Sequence, residues 1–161
     1  MLRITKILLV LSVAVWGLIG ALGNLTDWRG TTGAVGAVAS MSTFAGGADR
    51  WHATTNPLVI VAAAVCIVLF KIATSLLCLV GAWRMWARRR GDAETFGQAK
   101  TLALTGCGVA VLSLFGGWSV IGEQWFELWR SDLLREAAGG AAFRYGGFIA
   151  LISLMVGARD D

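Results

Sequence analysis

Charged residues are scarce in this chain: Asp, Glu, Lys and Arg make up only 15% of its 161 residues, whereas hydrophobic residues make up 57%. A soluble domain of this length cannot bury so much apolar surface. The composition therefore excludes an ordinary soluble domain and indicates that a lipid bilayer is the solvent. Proline is scarcer still. Because Pro57 is the single one, no proline-rich linker divides the chain, and we expect one membrane domain.

Histidine and cysteine are also rare, which limits the chemistry of the chain. His52 is the single histidine, so one protomer cannot supply the two histidine ligands of a membrane haem. Cys66, Cys78 and Cys107 lie in long apolar runs without zinc-ligand spacing, so we expect buried thiols. There is no phosphate-binding glycine loop, no pair of intramembrane carboxylates and no nucleophile beside a base. We therefore expect no enzyme activity, no cofactor and no metal.

The chain is instead rich in long apolar segments. A helix rises 1.5 Å per residue, so about 20 residues cross a bilayer, and four of the segments reach that length. We predict an all-α membrane protein, a four-transmembrane-helix bundle, with helices over residues 7–25, 57–83, 101–121 and 139–157. Arg144 interrupts the first turns of the fourth helix, and a start near Ser131 would solve that problem. The first segment, behind Arg3 and Lys6, also fits a secretory signal cleaved near Ala21.

Positive charge predicts the orientation, because Lys and Arg are retained on the cytoplasmic side of a membrane. The connection over residues 84–100 is the most basic one and contains Arg88, Arg89 and Arg90. With an even number of spans, both termini are expected to be cytoplasmic, and residues 26–56 and 122–138 form outer loops. Anionic lipid head groups then explain the net charge of +4, so we expect membrane lipids and no nucleic acid as partners.

Lys71 is the most informative residue, because it lies near the middle of the second predicted helix. It is roughly 20 Å from either end, and charges at such a depth usually face a bundle interior, a wet cavity or a partner. No acid of this chain is expected at the same depth. One interpretation is a neutral lysine bonded to hydroxyls such as Thr74, Thr105 or Ser113. The other places an acid on another subunit.

Aromatic and charged residues alternate after the third predicted helix. Trp125 and Trp129 are four residues apart and share one helix face. This pattern is typical of an interfacial anchor, since tryptophan prefers the head-group level, and it also fits a surface that docks another protein. The candidate docking residues are Glu123, Gln124, Trp125, Phe126, Trp129 and Arg144.

Four short motifs stand at or near the ends of the predicted helices: residues 23–28 (Gly-Asn-Leu-Thr-Asp-Trp), 77–84 (Leu-Cys-Leu-Val-Gly-Ala-Trp-Arg), 125–131 (Trp-Phe with Trp129 and Ser131) and 142–144 (Ala-Phe-Arg). With them the chain resembles a bacterial family of predicted small integral membrane proteins of unknown function, over most of its length. The resemblance implies four helices and a retained first segment. It singles out Asn24, Asp27 and Trp28 as an outer-loop motif.

Two positions depart from that family pattern. The family has a glutamate directly before the Trp-Phe pair, where this sequence has Gln124 beside Glu123. It also favours an acid within the second helix, where this chain has Lys71.

The unmatched Lys71 favours a non-enzymatic accessory or assembly subunit of a larger complex in the bacterial cytoplasmic membrane. We accordingly expect a membrane-protein partner or a homo-oligomer. The alternative is a small transporter or channel, as a homo-oligomer, in which Lys71 and Arg144 line a polar path for an anion. A lipid- or quinone-directed enzyme would depend on carboxylates beside arginines, which at such a boundary are more often structural ion pairs. Those residues are Glu123, Glu127, Arg130 and Arg144.

Overall fold

The computed structural model describes residues 1–160, and all regular secondary structure within them is helical. In chain order the α-helices are α1 (Leu2–Thr26), α2 (Trp28–Ala39), α3 (Pro57–Ala87), α4 (Ala93–Ala99), α5 (Thr101–Val111) and α6 (Ala141–Gly157). Wider helix of the π type continues α5 over Leu112–Trp125 and leads into α6 over Arg135–Gly140. A short 3-10 turn, Leu128–Arg130, lies between these two stretches.

Four of the resulting helical segments are long and apolar enough to cross a membrane, namely Leu2–Thr26, Pro57–Ala87, Ala93–Trp125 and Arg135–Gly157. The prediction of an all-helical membrane protein with four spans is confirmed. Helix α1 packs on α3, α3 on α5, α5 on α6 and α6 on α1, which closes a ring. Met1 and Asp160 lie at the same end of this bundle, called here the termini side. The opposite end is the loop side.

The helices extend beyond the predicted bounds because their ends find hydrogen-bond partners. Helix α1 begins at Leu2 rather than residue 7, and Arg3 in its first turn donates to the carbonyl oxygens of Arg89 and Gly91 at 3.1 and 2.6 Å. The third span begins with α4, whose first turn is capped by the Asp92 carboxylate, 2.7 Å from the Thr95 amide. The fourth span begins at Arg135, between the two starts that the sequence suggested.

Helix α2 lies within the segment that the sequence predicted as an outer loop. Asp27 interrupts the helix after α1 and caps the next one, since its carboxylate accepts a hydrogen bond from the Gly30 amide at 2.9 Å. Gly36 lies against Ile60 of α3, which holds α2 to the bundle. Local capping and this contact outweigh the low helix propensity of the glycines. Residues 40–56 are irregular, yet Met41 within them is fully buried.

Small residues allow the spans to approach closely, as expected for helices in a bilayer. A Cβ on Gly17 would lie only 2.9 Å from the Lys71 carbonyl oxygen, and one on Gly106 would lie 2.7 Å from the Cys78 sulfur. Cys78 and Cys107 are buried at the contact between α3 and α5. The prediction of a third buried thiol is wrong, because Cys66 lies on an exposed face of α3.

Large apolar side chains cover the outside of the bundle. They include Leu8, Ile19, Leu69, Phe115 and Leu151, each more than half exposed. Exposed apolar surface of this extent is suited to lipid rather than water.

Candidate functional site

Lys71 lies in α3 opposite the second half of α1. Its Nζ donates to Oδ1 of Asn24 at 3.1 Å and to the Gly20 carbonyl oxygen at 3.4 Å. Gly20 leaves room for the ammonium group, since a Cβ at that position would lie 3.2 Å from Nζ. The partners of Lys71 therefore come from α1. They differ from the predicted hydroxyls: Thr105, for instance, donates to the carbonyl oxygen of Thr101.

The depth of Lys71 follows from the charged boundary on the termini side. A hydrocarbon layer of about 30 Å takes about 20 helical residues. Counted from Lys6 in α1 and from Arg84 in α3, that layer ends near Thr26 and near Ala64. Lys71 is seven residues past Ala64, or about 10 Å below the loop-side boundary, and its side chain extends to Asn24, beside that boundary. The ammonium group thus snorkels toward the loop side.

A pocket of about 320 Å³ opens beside Lys71 at the junction of α1, α2 and α3. We call it the Lys71 pocket. Asn24, Asp27 and Thr31 line it together with the ammonium group, and Trp118 of the third span forms an apolar part of its wall. The volume lies in the usual range for small-ligand sites. An ammonium and a carboxylate in one cavity suit a small molecule or head group that carries both signs of charge.

The outer-loop motif divides between this pocket and the fold. Asn24 binds Lys71, and Asp27 both lines the pocket and caps α2. Gly30 is needed opposite Asp27, because a Cβ there would collide with the carboxylate. Trp28 is half-buried and is not part of the pocket wall.

A second group of residues, the aromatic cluster, lies on the loop side and consists of Trp51, His52, Trp125 and Phe126. Trp129 lies in the short turn that follows, Leu128–Arg130. The rings of Trp51 and Trp125 meet edge to face with centroids 5.5 Å apart, and the His52 ring lies 5.2 Å from each of them. Trp51, Trp125 and Trp129 remain 84%, 50% and 56% exposed. Both ring nitrogens of His52 are buried and find no hydrogen-bond partner within residues 1–160.

Glu127 connects the irregular segment 40–56 to the end of the third span. Its carboxylate accepts a hydrogen bond from Arg130 at 2.7 Å and lies 3.5 Å from Arg50. Arg130 also donates to the Ala45 carbonyl oxygen at 3.4 Å and lies over the Phe44 ring at 4.7 Å. The Arg130 hydrogen bond, with the nearby positive charges, holds the pKa of Glu127 below its ordinary value. These contacts fix the backbone that carries the aromatic cluster.

The remaining predicted docking residues lie outside the aromatic cluster. Gln124 is exposed, and the Glu123 carboxylate lies against Gly139. Arg144 is exposed near the start of α6, 4.0 Å from Glu136, and does not line the Lys71 pocket. Among residues 1–160, no three His, Cys, Asp or Glu side chains are placed to hold a metal ion.

Sequence reasoning missed a buried group of charges on the termini side, which we call the ion cluster: Lys6, Lys100 and Asp160. Lys6 lies 2.9 Å from the Asp160 carboxylate, Lys100 pairs with the other carboxylate oxygen, and all three side chains are at most 5% exposed. Both lysines also donate to the Ala158 carbonyl oxygen, at 2.7 and 2.8 Å. Burial alone raises the pKa of Asp160, but the bonds to Lys100 and Lys6 outweigh it, so that pKa lies below its ordinary value.

Residues 2–158 match the model of a protein family described as "Predicted small integral membrane protein (DUF2165)". The chain belongs to this family. The resemblance carried by the sequence motifs is thereby confirmed, and so is the assignment as an integral membrane protein. No curated protein and no solved structure matches the chain.

The family has no known function, so the structural roles of its motifs are informative. In this member, residues 23–28 span the end of α1 and the start of α2, and Gly23, Asn24 and Asp27 among them line the Lys71 pocket. The motif over residues 77–84 places Cys78 and Gly81 at the contact with α5, where Gly81 lies against Ala103. The motif after the third span supplies half of the aromatic cluster, in the form of Trp125 and Phe126.

Proposed function

We propose that this protein is a non-enzymatic accessory or assembly subunit of a larger complex in the bacterial cytoplasmic membrane, and that it docks through the aromatic cluster. The observation that carries the proposal is a backbone fixed by Glu127 and Arg130 under tryptophans that remain exposed. Lys71 does not carry the proposal, because Asn24 and Gly20 accept two hydrogen bonds from its ammonium group within the chain.

Rigid exposed tryptophans are suited to protein contacts. Tryptophan is enriched among the residues that dominate binding energies, and a fixed backbone lowers the entropy lost on association. A tryptophan that only anchors a helix at the head-group level needs no such fixed neighbours. His52 adds polar groups that are buried without partners, which costs free energy until a donor or acceptor reaches them. The partner we propose is therefore another integral membrane protein with a polar and aromatic segment at the loop-side head groups.

The polar groups at the two ends of the bundle favour a docking role and argue against ion conduction through a single protomer. The Lys71 pocket opens near the loop side, whereas the termini side is occupied by the buried ion cluster of Lys6, Lys100 and Asp160. An ion that crossed the bundle would have to displace these paired charges, and breaking a buried pair is costly. Glu127, whose contacts hold the backbone of the aromatic cluster, is paired with two arginines, which supports a structural role over a catalytic one.

Affinity purification tests the proposal. A tagged copy expressed at native level and extracted in mild detergent is compared, by mass spectrometry, with the double variant Trp51→Ala and Trp125→Ala. The matched control is Trp83→Ala, an exposed tryptophan near the other end of α3. We expect a stoichiometric partner with the wild type and the control, and its loss from the double variant. Recovery of the protein alone, or only as a homo-oligomer, would refute the accessory role.

The Lys71 pocket favours a second candidate function, a small anion transporter or channel that works as a homo-oligomer. The ammonium group retains a donor beyond its two bonds and lies beside the cavity. In liposomes, chloride flux through the purified protein should then disappear in Lys71→Leu. It should persist in Arg144→Gln, because Arg144 lies outside the pocket. The absence of flux through the wild type would eliminate this candidate.

A further inference from the structure

A second pocket, of about 440 Å³, lies on the termini side, and four arginines contribute to its wall. We call it the arginine pocket. Arg3 comes from the first turn of α1, Arg89 and Arg90 from the turn after α3, and Arg159 from the segment after α6. Three distant parts of the chain thus bring guanidinium groups to one cavity. Such groups recognise phosphate through paired, charge-assisted hydrogen bonds.

The ion cluster determines how the segment after α6 contributes to this pocket. Lys6 and Lys100 bind the Ala158 carbonyl oxygen on one side of Arg159 and the Asp160 carboxylate on the other. This holds the backbone of Arg159 at the pocket while its side chain is exposed. Because the Asp160 carboxylate is already paired with two lysines, it does not cancel the charge of the arginines.

Two of the arginines are oriented by contacts of their own. Arg3 donates from Nη1 to the Arg89 and Gly91 carbonyl oxygens, and its guanidinium lies 4.8 Å from the centroid of the Phe96 ring. Arg89 donates to the Trp86 carbonyl oxygen at 2.7 Å, with its guanidinium 4.0 Å from that indole ring. A guanidinium has five N–H donors, so these bonds leave donors for a ligand.

Asp160 and three apolar residues complete the pocket wall. Met1, Leu2 and Ile4 line it and are exposed, and they continue into the lipid-facing surface of α1. A soluble phosphate compound would gain nothing from that apolar edge, whereas a lipid would place its glycerol and acyl chains there. We propose that the arginine pocket binds the phosphate of an anionic membrane lipid, with the acyl chains along the first turns of α1.

Native mass spectrometry of the full chain tests this inference. The protein, purified in a neutral detergent, is mixed with equal amounts of phosphatidylglycerol and phosphatidylcholine that have the same acyl chains. We expect bound phosphatidylglycerol in excess. Arg159→Gln and Arg90→Gln should each lower its apparent affinity roughly fivefold, as expected for one basic residue near an anionic head group. Arg88→Gln is the control, since Arg88 is adjacent and exposed but does not line the pocket.

If Arg88→Gln lowered the affinity for phosphatidylglycerol as much as the pocket variants, the lipid would be held by diffuse positive charge and not by the arginine pocket. Equal binding of phosphatidylglycerol and phosphatidylcholine would refute the proposal.

A separate experiment uses inorganic phosphate as the competitor. If millimolar phosphate displaces phosphatidylglycerol completely, the ligand is a soluble phosphate and the lipid assignment is wrong. A melting temperature for each variant within about 2 °C of wild type, measured without lipid, shows that lost binding is not lost folding. The conservative Arg159→Lys variant retains the charge and should retain the preference even if Arg159→Gln fails to fold.

Discussion

The two ends of the bundle treat the lysines inside it in opposite ways. On the termini side, Lys6, Lys100 and Asp160 are buried and paired with one another. On the loop side, Lys71 borders an open pocket and the His52 nitrogens find no partner within the described residues. The first arrangement serves stability, because its charges satisfy one another. The second retains binding capacity and is where we expect the partner.

The largest expected effect comes from the ion cluster. Asp160→Asn leaves two buried lysines without a carboxylate, and breaking such an arrangement costs about 3 to 5 kcal/mol. Chemical unfolding in detergent micelles should show this loss. The control is Asp132→Asn, at an exposed aspartate on the loop side, which should leave the unfolding free energy nearly unchanged. Equal unfolding free energies for the two variants would contradict the claim that the ion cluster stabilises the fold.

Acid should act on the same ion cluster. The folded-state pKa of Asp160 lies below its unfolded value, near 3.9, so its contribution to stability is present above that pH and is lost as pH falls through the folded pKa. The difference in unfolding free energy between wild type and Asp160→Asn should therefore be constant above about pH 5 and shrink below about pH 4. Asp92 and Glu127 also have lowered pKa values, so acid changes the unfolding free energy of both proteins through them. Their contributions cancel in the difference between wild type and Asp160→Asn. A difference that grows in acid would contradict the assignment.

Helix packing provides an intermediate effect. Gly17→Ala places a methyl group against the Lys71 carbonyl oxygen and should cost about 1 to 3 kcal/mol, because backbone must move. Gly23→Ala, in the same helix but at the open pocket, meets no atom within 4 Å and should be neutral or slightly stabilising. Thermal unfolding of both variants checks this. If Gly23→Ala destabilised as much as Gly17→Ala, the pocket would be more tightly packed than described.

A double-mutant cycle tests the bond between Lys71 and Asn24. Lys71→Met and Asn24→Ala should show a coupling free energy of roughly 1 kcal/mol, typical of one hydrogen bond. The control cycle uses Thr31→Ala, because Thr31 lines the same pocket but donates to the Asn24 carbonyl oxygen rather than to Lys71. Its coupling with Lys71→Met should be close to zero. Equal coupling in both cycles would mean that Lys71 does not depend on the Asn24 side chain.

The smallest effect is expected at Glu127, whose side chain is 21% exposed and forms ion pairs at the surface. Glu127→Gln weakens the contacts with Arg130 and Arg50, so residues 40–56 should be cleaved severalfold faster by a protease added from the loop side. The melting temperature should change little, since exposed ion pairs contribute little. The control, Glu136→Gln, removes the long contact with Arg144 and should not change cleavage. Unchanged cleavage in Glu127→Gln would show that this carboxylate does not hold the segment.

The sequence predicts the four spans well, because apolar runs of spanning length are rare outside membranes. It does not predict helix α2, since its glycines suggest a loop and its stability depends on Asp27 and on a distant contact with Ile60. It also fails at pairings across the fold. Lys6 and Asp160 are separated by 154 positions and meet only when α1 and α6 pack together.

The individual residues of the candidate site could be predicted from the sequence, but their contacts with one another could not. Lys71 and Asn24 both stand out in the sequence, the first as an intramembrane charge and the second within a motif. Their contact depends on the register between α1 and α3, which the packing of Gly17 against α3 helps to determine. The solitary His52 carries no local signal for its place between Trp51 and Trp125, because the fold of residues 40–56 brings it there.

Photo-crosslinking in living cells tests most directly the claim that the loop side is where the partner binds. A photoreactive phenylalanine analogue replaces either Trp129 on the loop side or Trp83 on the termini side, both well exposed. We expect a discrete protein adduct at position 129 and none at position 83. Adducts at position 83 alone, or at neither position, would contradict the claim.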